Sequence, residues 1–296
     1  MAASLHTAKS VRATRDWQTR DWQTRCHTDS VIALWIVAYL AAGAVVGFLA
    51  GLLGIGGGMT LVPVLATMFA TQHFAPTHTV HLALGTGMAS ILFTSTSSVR
   101  AHHRLGGVDW TLVRRIGPGM VAGTLLSSVL SGWVPQRVLA LAFAAIVYAG
   151  ATQILLGRKP AAARTLPGTP ALLAVGLLIG VVAGLVSAGG AFMTVPFMLF
   201  CGVAMTTAIG TGAALGVPVA IVGTIGYVLS GSHVGALPPF SLGFVYAPAL
   251  LAIVAASTFT APIGARAAHR LPAVTLRRIY AGLLYTLATK MLWTYV

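Results

Sequence analysis

Two glycine runs, each followed by an apolar segment, carry the clearest binding chemistry in this sequence. They are Gly54-Ile55-Gly56-Gly57-Gly58 and Ser187-Ala188-Gly189-Gly190-Ala191. Glycines expose backbone amides, and the first four N–H groups of a helix that begins beside them have no intrahelical partner. Such a helix start lies at the positive end of the helix dipole, so it binds anions without a charged side chain. A Walker-type phosphate loop is excluded because no Lys-Ser or Lys-Thr pair follows the glycines.

Hydroxyl side chains near both runs complete the predicted anion site, because hydroxyl groups donate hydrogen bonds to oxyanions. The candidate substrate-binding residues are Gly56, Gly57, Gly58, Thr60, Thr86, Ser187, Gly189, Gly190, Thr194 and Thr211. Thr86 and Thr211 have an alternative role, since a helical threonine often bonds a carbonyl one turn back. Pro63 and Pro196 follow the two runs. Because proline lacks an N–H, each is predicted to keep a helix break open.

The composition is that of a membrane protein. Of the 296 residues, 57% are hydrophobic and 7% are charged, whereas about a quarter of a soluble chain is charged. Neither 31–99 nor 165–265 contains Asp, Glu, Lys or Arg. A span needs about 20 apolar residues, so the chain has room for eight to ten crossings. The formal net charge of +14 comes mostly from loop arginines, and it indicates orientation in the membrane rather than a nucleic-acid partner.

The chain is predicted to contain two copies of one unit. The spacing Gly43-x-x-x-Gly47-x-x-x-Gly51 recurs 133 residues later, and Gly85-Thr86-Gly87 matches Gly210-Thr211-Gly212. Glycines at four-residue spacing are typical of packed membrane helices, and repeats with matched interruptions are typical of secondary transporters. The predicted organisation is a polar, disordered arm over 1–30, a first transmembrane repeat over 31–157, a basic linker over 158–169 and a second transmembrane repeat over 170–296.

We therefore expect an all-α polytopic membrane protein whose repeats each have about five apolar segments, with helices broken by Gly and Pro. The segments of the first repeat are 31–53, 57–72, 80–99, 113–132 and 138–156. The second segment of each repeat is too short for a full span and is predicted to be a half-helix. If all ten segments cross from an outside N-terminus, most of the bases after the arm share the cytoplasmic side, with Arg137 and Lys290 opposite, and the repeats are inverted. The alternative is eight full crossings plus two re-entrant segments, with parallel repeats.

Other kinds of chemistry have little support. His78 and His81 share a helical face, but no carboxylate or cysteine joins them, so neither a metal nor a cofactor is predicted. No nucleophile has a matching base, and an enzyme is not predicted. Cys26 and Cys201 are not expected to form a disulfide. Asp109, the one carboxylate after the arm, is expected to cap the next segment or to pair with a nearby arginine.

After the arm, the sequence resembles the sulfite exporter TauE/SafE family of integral membrane transporters. The resemblance rests on the run 51–58 followed by Leu61-Val62-Pro63, on its duplicate from Gly184 to Pro196, and on Arg104-Leu105-Gly106-Gly107-Val108-Asp109-Trp110. It implies export of sulfite, organosulfonates such as sulfoacetate, or small organic acids across a bacterial inner membrane.

Together, this resemblance and the two repeats predict secondary transport of a small anion through a site between the repeats. The expected partners are that anion and the lipid bilayer, with no nucleic acid, and a homo-oligomer is compatible with the sequence. Because no carboxylate lies within the apolar segments, we expect electrogenic efflux without a carboxylate-bound coupling ion. The alternative function is a membrane assembly or scaffold subunit that does not transport.

Overall fold

The computed structural model describes residues 33–49, 57–72, 74, 76–156, 166–235, 237–268 and 273–295. The predicted arm over 1–30, most of the predicted linker and Gly56 lie outside these residues. The first-repeat helices are α1 (Ala33–Leu49), α2 (Gly58–Thr71), α3 (Thr79–Arg104), α4 (Trp110–Leu130) and α5 (Gln136–Leu156). The second-repeat helices are α6 (Thr169–Val186), α7 (Ala191–Phe200), α8 (Met205–Gly231), α9 (Ala247–Ala268) and α10 (Ala273–Tyr295).

The described helices confirm the expected all-α fold, with five in each half of the chain. Among them, three are long and apolar enough to cross a membrane by length and composition, namely α3, α6 and α8. In contrast, α2 has 14 residues and α7 has 10, which correspond to roughly 21 Å and 15 Å. Both are shorter than a hydrocarbon core of about 30 Å. They are therefore half-helices, and each begins beside its glycine run.

The spaced glycines pack the first helix of each repeat on the fourth helix of the other repeat. A Cβ atom at Gly180 in α6 would clash with the backbone of Met120 in α4. In α1, a Cβ atom at Gly43 would lie 2.7 Å from the Cα atom and from the carbonyl oxygen of Ile253 in α9. Only glycine permits these close approaches, which is the expected packing role of such spacing. The two repeats are thus interlocked by reciprocal contacts.

The repeats run in opposite directions. Near the start of α3, Gly85 packs on Phe244, which follows the end of α8. Near the start of α8, Gly210 packs on Gly107, which follows the end of α3. Helices α3 and α8 are therefore antiparallel neighbours, and α5 and α10 also contact each other. Because each pair occupies equivalent positions in the two repeats, the repeats are inverted, as the ten-segment arrangement requires.

The loop before α4 and the segment directly before α9 each have a defined local structure. Asp109 caps α4, since its Oδ1 accepts hydrogen bonds from the amides of Thr111 at 2.8 Å and Leu112 at 3.1 Å. The expected cap is confirmed. Before α9, Ser241–Leu242 pairs with Val245–Tyr246 in a small antiparallel hairpin. This hairpin was not predicted from the sequence, because strands of two residues are too short to show an alternating pattern.

Candidate functional site between the repeats

The start of α2 lies against the break between α6 and α7 inside the protein. A Cβ atom at Gly58, the first residue of α2, would clash with the carbonyl oxygen of Ser187 and lie 2.7 Å from Cδ1 of Ile91. A Cβ atom at Gly189 would lie 2.8 Å from Cγ2 of the same isoleucine. Ile91 lies midway along α3. Gly58 and Gly189 therefore reach the same point, halfway along α3.

The first backbone N–H groups of α2 and α7 come before the residues that donate the first intrahelical hydrogen bonds. In α2 these bonds begin at the Gly57 carbonyl, which accepts from the amides of Thr60 and Leu61 at 3.2 Å and 2.9 Å. In α7 they begin at the Gly190 carbonyl, which accepts from Met193 at 3.1 Å and from Thr194 at 3.0 Å. The backbone N–H groups before these bonds are those of Gly58, Met59, Ala191 and Phe192. Groups of this kind bind anions at helix N-termini.

Ser187 is an unusual residue at the second break. It ends α6 in the left-handed conformation, with φ 51° and ψ 43°, which costs a non-glycine residue about 1–2 kcal/mol. Its side chain is fully buried, and its Oγ has no hydrogen-bond partner within the described part of the chain. The matching residue of the first repeat is Gly54. A serine thus occupies a position where glycine would relieve backbone strain, and such strain is concentrated at functional sites.

Glycine and serine residues of α3 and α8 lie around this break. A Cβ atom at Gly87 in α3 would lie 3.1 Å from Ser187 Oγ. A Cβ atom at Gly216 in α8 would lie 2.8 Å from Ser95 Oγ and 3.0 Å from the Gly189 carbonyl oxygen. Ser95 was not predicted from the sequence. Its spacing of two helical turns from Gly87 places both residues on one face of α3, and this was the available signal.

The remaining predicted residues near the breaks are inside the half-helices. Thr60 and Thr194 are buried, and the Thr194 hydroxyl donates to the Gly190 carbonyl at 2.8 Å. Pro63 and Pro196 are each the sixth residue of their helix, about one and a half turns beyond the break. Thus the prolines occupy matching positions in α2 and α7.

Thr86 and Thr211 are both fully buried, and each has a partner in the other repeat. The backbone amide of Tyr246 donates to Thr86 Oγ1 at 3.0 Å. The backbone amide of Asp109 donates to Thr211 Oγ1 at the same distance. The two hydroxyls therefore occupy equivalent structural positions and hold the loops that precede α9 and α4. The sequence alone did not reveal these bonds.

Two histidines, His78 and His81, lie together near the start of α3. The rings of His78 and His81 are 5.7 Å apart, and His81 Nε2 lies 3.0 Å from the Ser131 carbonyl oxygen and 3.2 Å from that of Val134. Burial lowers the pKa of His78, which favours its neutral form. Within the described ranges, no three His, Cys, Asp or Glu residues are grouped to hold a metal ion.

Inverted repeats, together with half-helices that begin at an interior point between the repeats, are features of polytopic secondary transporters. The chain belongs to the sulfite exporter TauE/SafE family, whose family model matches residues 39–291. It is 34% identical to a probable membrane transporter protein of Haemophilus influenzae, over 87% of this chain and 98% of that protein. It is 25% identical to the probable membrane transporter protein YdhB of Bacillus subtilis, over 78% of this chain and 89% of that protein.

A more distant relative is the probable membrane transporter protein MJ0441 of Methanocaldococcus jannaschii, which is 22% identical over 86% of this chain and 94% of that protein. No solved structure matches the chain. The family and these relatives identify a multi-pass membrane transporter, which acts on a small-molecule substrate and contacts membrane lipid.

Proposed function

We propose that this protein exports small anions, sulfite or organosulfonates such as sulfoacetate, across a bacterial inner membrane. The anion binds between the two repeats, where α2 and α7 begin. The observation that carries this proposal is Ser187, a strained and fully buried residue with an unpartnered hydroxyl, within the described part of the chain, beside the start of α2. Its hydroxyl and the leading amides of both half-helices supply hydrogen-bond donors from both repeats.

The electrostatics of these groups favour an anion over a cation. Each helix start contributes a favourable interaction of about 0.3–1 kcal/mol with a negative charge, and up to about 2 kcal/mol when partly buried. After the arm the sequence has one carboxylate, Asp109, and its Oδ1 already accepts two hydrogen bonds at the start of α4. Anion binding therefore meets no opposing carboxylate at the breaks. Several donors that approach from two sides suit a sulfite or sulfonate group, which presents three acceptor oxygens.

The same distribution of charge supports efflux driven by the membrane potential. A carboxylate that binds a coupling ion is usually located within the membrane, and here the sequence offers none in the apolar segments. An anion that leaves a cell with a negative interior gains about 2.3 kcal/mol per charge for each 100 mV. The proposal is therefore electrogenic anion efflux without an obligatory carboxylate-bound coupling ion.

Flux measurements in proteoliposomes test the proposed site. Ser187→Ala removes the hydroxyl and retains the backbone strain, whereas Ser187→Gly removes both. We expect both variants to lower sulfoacetate or sulfite flux. Ser230→Ala is the matched control, because Ser230 Oγ is also buried without a partner among the described residues but packs beside Gly132, at the far end of α8. Parent-like flux in both Ser187 variants would show that the hydroxyl is not part of the site. Absence of flux with any sulfur oxyanion or small carboxylate would refute the proposal of an anion transporter.

A further inference from the structure

The hairpin over 241–246, which precedes α9, is held by two adjacent residues of α3. Gly85 lets the Phe244 carbonyl approach so closely that a Cβ atom there would clash with it. The next residue, Thr86, accepts the Tyr246 amide through its hydroxyl at 3.0 Å. Both contacts join the first repeat to the second.

The loop over 105–109, which precedes α4, is held in the same way by α8. A Cβ atom at Gly210 would clash with the Gly107 carbonyl oxygen. The next residue, Thr211, accepts the Asp109 amide at 3.0 Å. The two loops thus have equivalent anchors, each provided by the opposite repeat.

The third residue of each Gly-Thr-Gly sequence connects its anchor to a half-helix. A Cβ atom at Gly87 would lie 3.0 Å from Val62 in α2, and one at Gly212 would lie 3.0 Å from Val195 in α7. Gly87 also faces the Ser187 hydroxyl. Each short segment of α3 or α8 therefore contacts a loop through two residues and a half-helix through the third.

The two anchors lie on opposite sides of the meeting point of the breaks. Thr86 precedes Ile91 by five residues in α3, and Thr211 precedes Gly216 by five residues in α8. Because α3 and α8 are antiparallel, the hairpin and the loop approach the site from opposite ends of this helix pair. A barrier on each side of a central site is the arrangement that alternating access requires.

We propose that the hairpin over 241–246 and the loop over 105–109 are the two gates of the transporter. The hydroxyls of Thr86 and Thr211 hold the respective gates closed, and the gates open alternately. This inference rests on the proposed function, because the gates flank the proposed anion site. Each hydroxyl contributes one neutral hydrogen bond, and its loss leaves a partly buried amide without that partner. Its removal is expected to shift the gate equilibrium about fivefold or more towards the open form.

Thiol accessibility tests the gates without a substrate. The parent is the full chain in membrane vesicles of both orientations, with Ser187→Cys in a background that carries Cys26→Ser and Cys201→Ser. A small membrane-impermeant methanethiosulfonate probes each face. Labelling of Gly235→Cys, in the exposed connection before the hairpin, identifies the hairpin face. Thr86→Val should raise the labelling rate about fivefold or more from that face only, and Thr211→Val should do so from the opposite face only.

Two further sets of variants separate the hydroxyl from general damage. Thr86→Ser and Thr211→Ser keep the hydroxyl and should label like the parent. Gly85→Ala and Gly210→Ala keep the threonines but displace the gates by steric clash, so each should reproduce the sidedness of its neighbouring Val variant. Thermal stability in detergent checks that every variant is folded.

The outcomes distinguish the gates from the site. If the Ser187→Cys thiol of the parent reacts but no Val or Ala variant changes the sidedness of labelling, the gate proposal is wrong and the proposed site stands. If the Ser variants behave like the Val variants, the hydroxyls do not hold the gates. If Ser187→Cys reacts from neither face in any variant, the break is not an aqueous site, and the proposed function fails together with the gates.

Discussion

Gly58→Ala is the sharpest steric perturbation of the point where the two breaks meet. The added Cβ atom would lie closer than 3.0 Å to the Ser187 carbonyl oxygen, a separation that real Cβ atoms essentially never show, and 2.7 Å from Ile91. Ordinary contact distances of about 3.5 Å require the two backbones to separate by roughly 1 Å. Overpacking of this kind costs about 1–3 kcal/mol, offset by up to about 1 kcal/mol from the better helix propensity of alanine.

If the clash destabilises the anion-bound form and is relieved in the anion-free form, it lowers anion affinity about 5- to 150-fold. The assay is the concentration dependence of sulfoacetate efflux from proteoliposomes, with thermal stability measured in detergent. Gly117→Ala is the control, since the one described residue that its Cβ atom would meet is Leu215, at an ordinary 3.5 Å. It should keep flux and gain up to about 1 kcal/mol of stability. Parent-like affinity and flux in Gly58→Ala would refute the claim that contact between the breaks shapes the site.

Three further predictions concern packing, capping and energy coupling. Gly180→Ala should lower stability by about 1–3 kcal/mol through its clash with Met120. Gly282→Ala should not, because its Cβ atom would meet none of the described residues within 4 Å. Equal melting temperatures of the two variants would contradict the interlocked packing. Asp109→Ala should cost about 1 kcal/mol of stability and Asp109→Asn much less, because asparagine is also a good N-cap. Asp109→Asn should also leave the voltage dependence of flux unchanged. With potassium and valinomycin setting the potential and no proton or sodium gradient, a negative interior should accelerate anion exit; flux that ignores voltage but needs such a gradient would overturn the coupling proposal.

The fold was predictable from the sequence where local patterns determine it. Glycines at four-residue spacing predicted the helix packing, and the short apolar segments after the glycine runs predicted the half-helices α2 and α7. The order of matched glycines in the two halves predicted the repeats. Each of these features depends on residue type and spacing within a short window, which a single sequence displays directly.

Contacts between distant residues could not be predicted in the same way. Thr86 and Tyr246 are 160 positions apart, and Thr211 and Asp109 are 102 apart, so no periodicity links them. Their sequence context indicated a substrate role or a local backbone bond, whereas the structure gives each threonine an amide of the other repeat. The left-handed backbone of Ser187 was equally invisible, because its alignment with Gly54 indicates a special conformation only once that conformation has been seen.

Substrate protection tests the central claim, that a small anion binds where the half-helices begin. Gly57→Cys, in the background without native cysteines, places a thiol at the start of α2, and a maleimide measures its accessibility. Sulfoacetate should slow labelling in a saturable manner, and choline at equal concentration should not. Trp293→Cys, at a side chain that is 91% exposed on α10, should react equally with and without the anion. If neither sulfoacetate nor other small sulfonates and carboxylates protect Gly57→Cys while the protein still transports them, the anion site lies elsewhere.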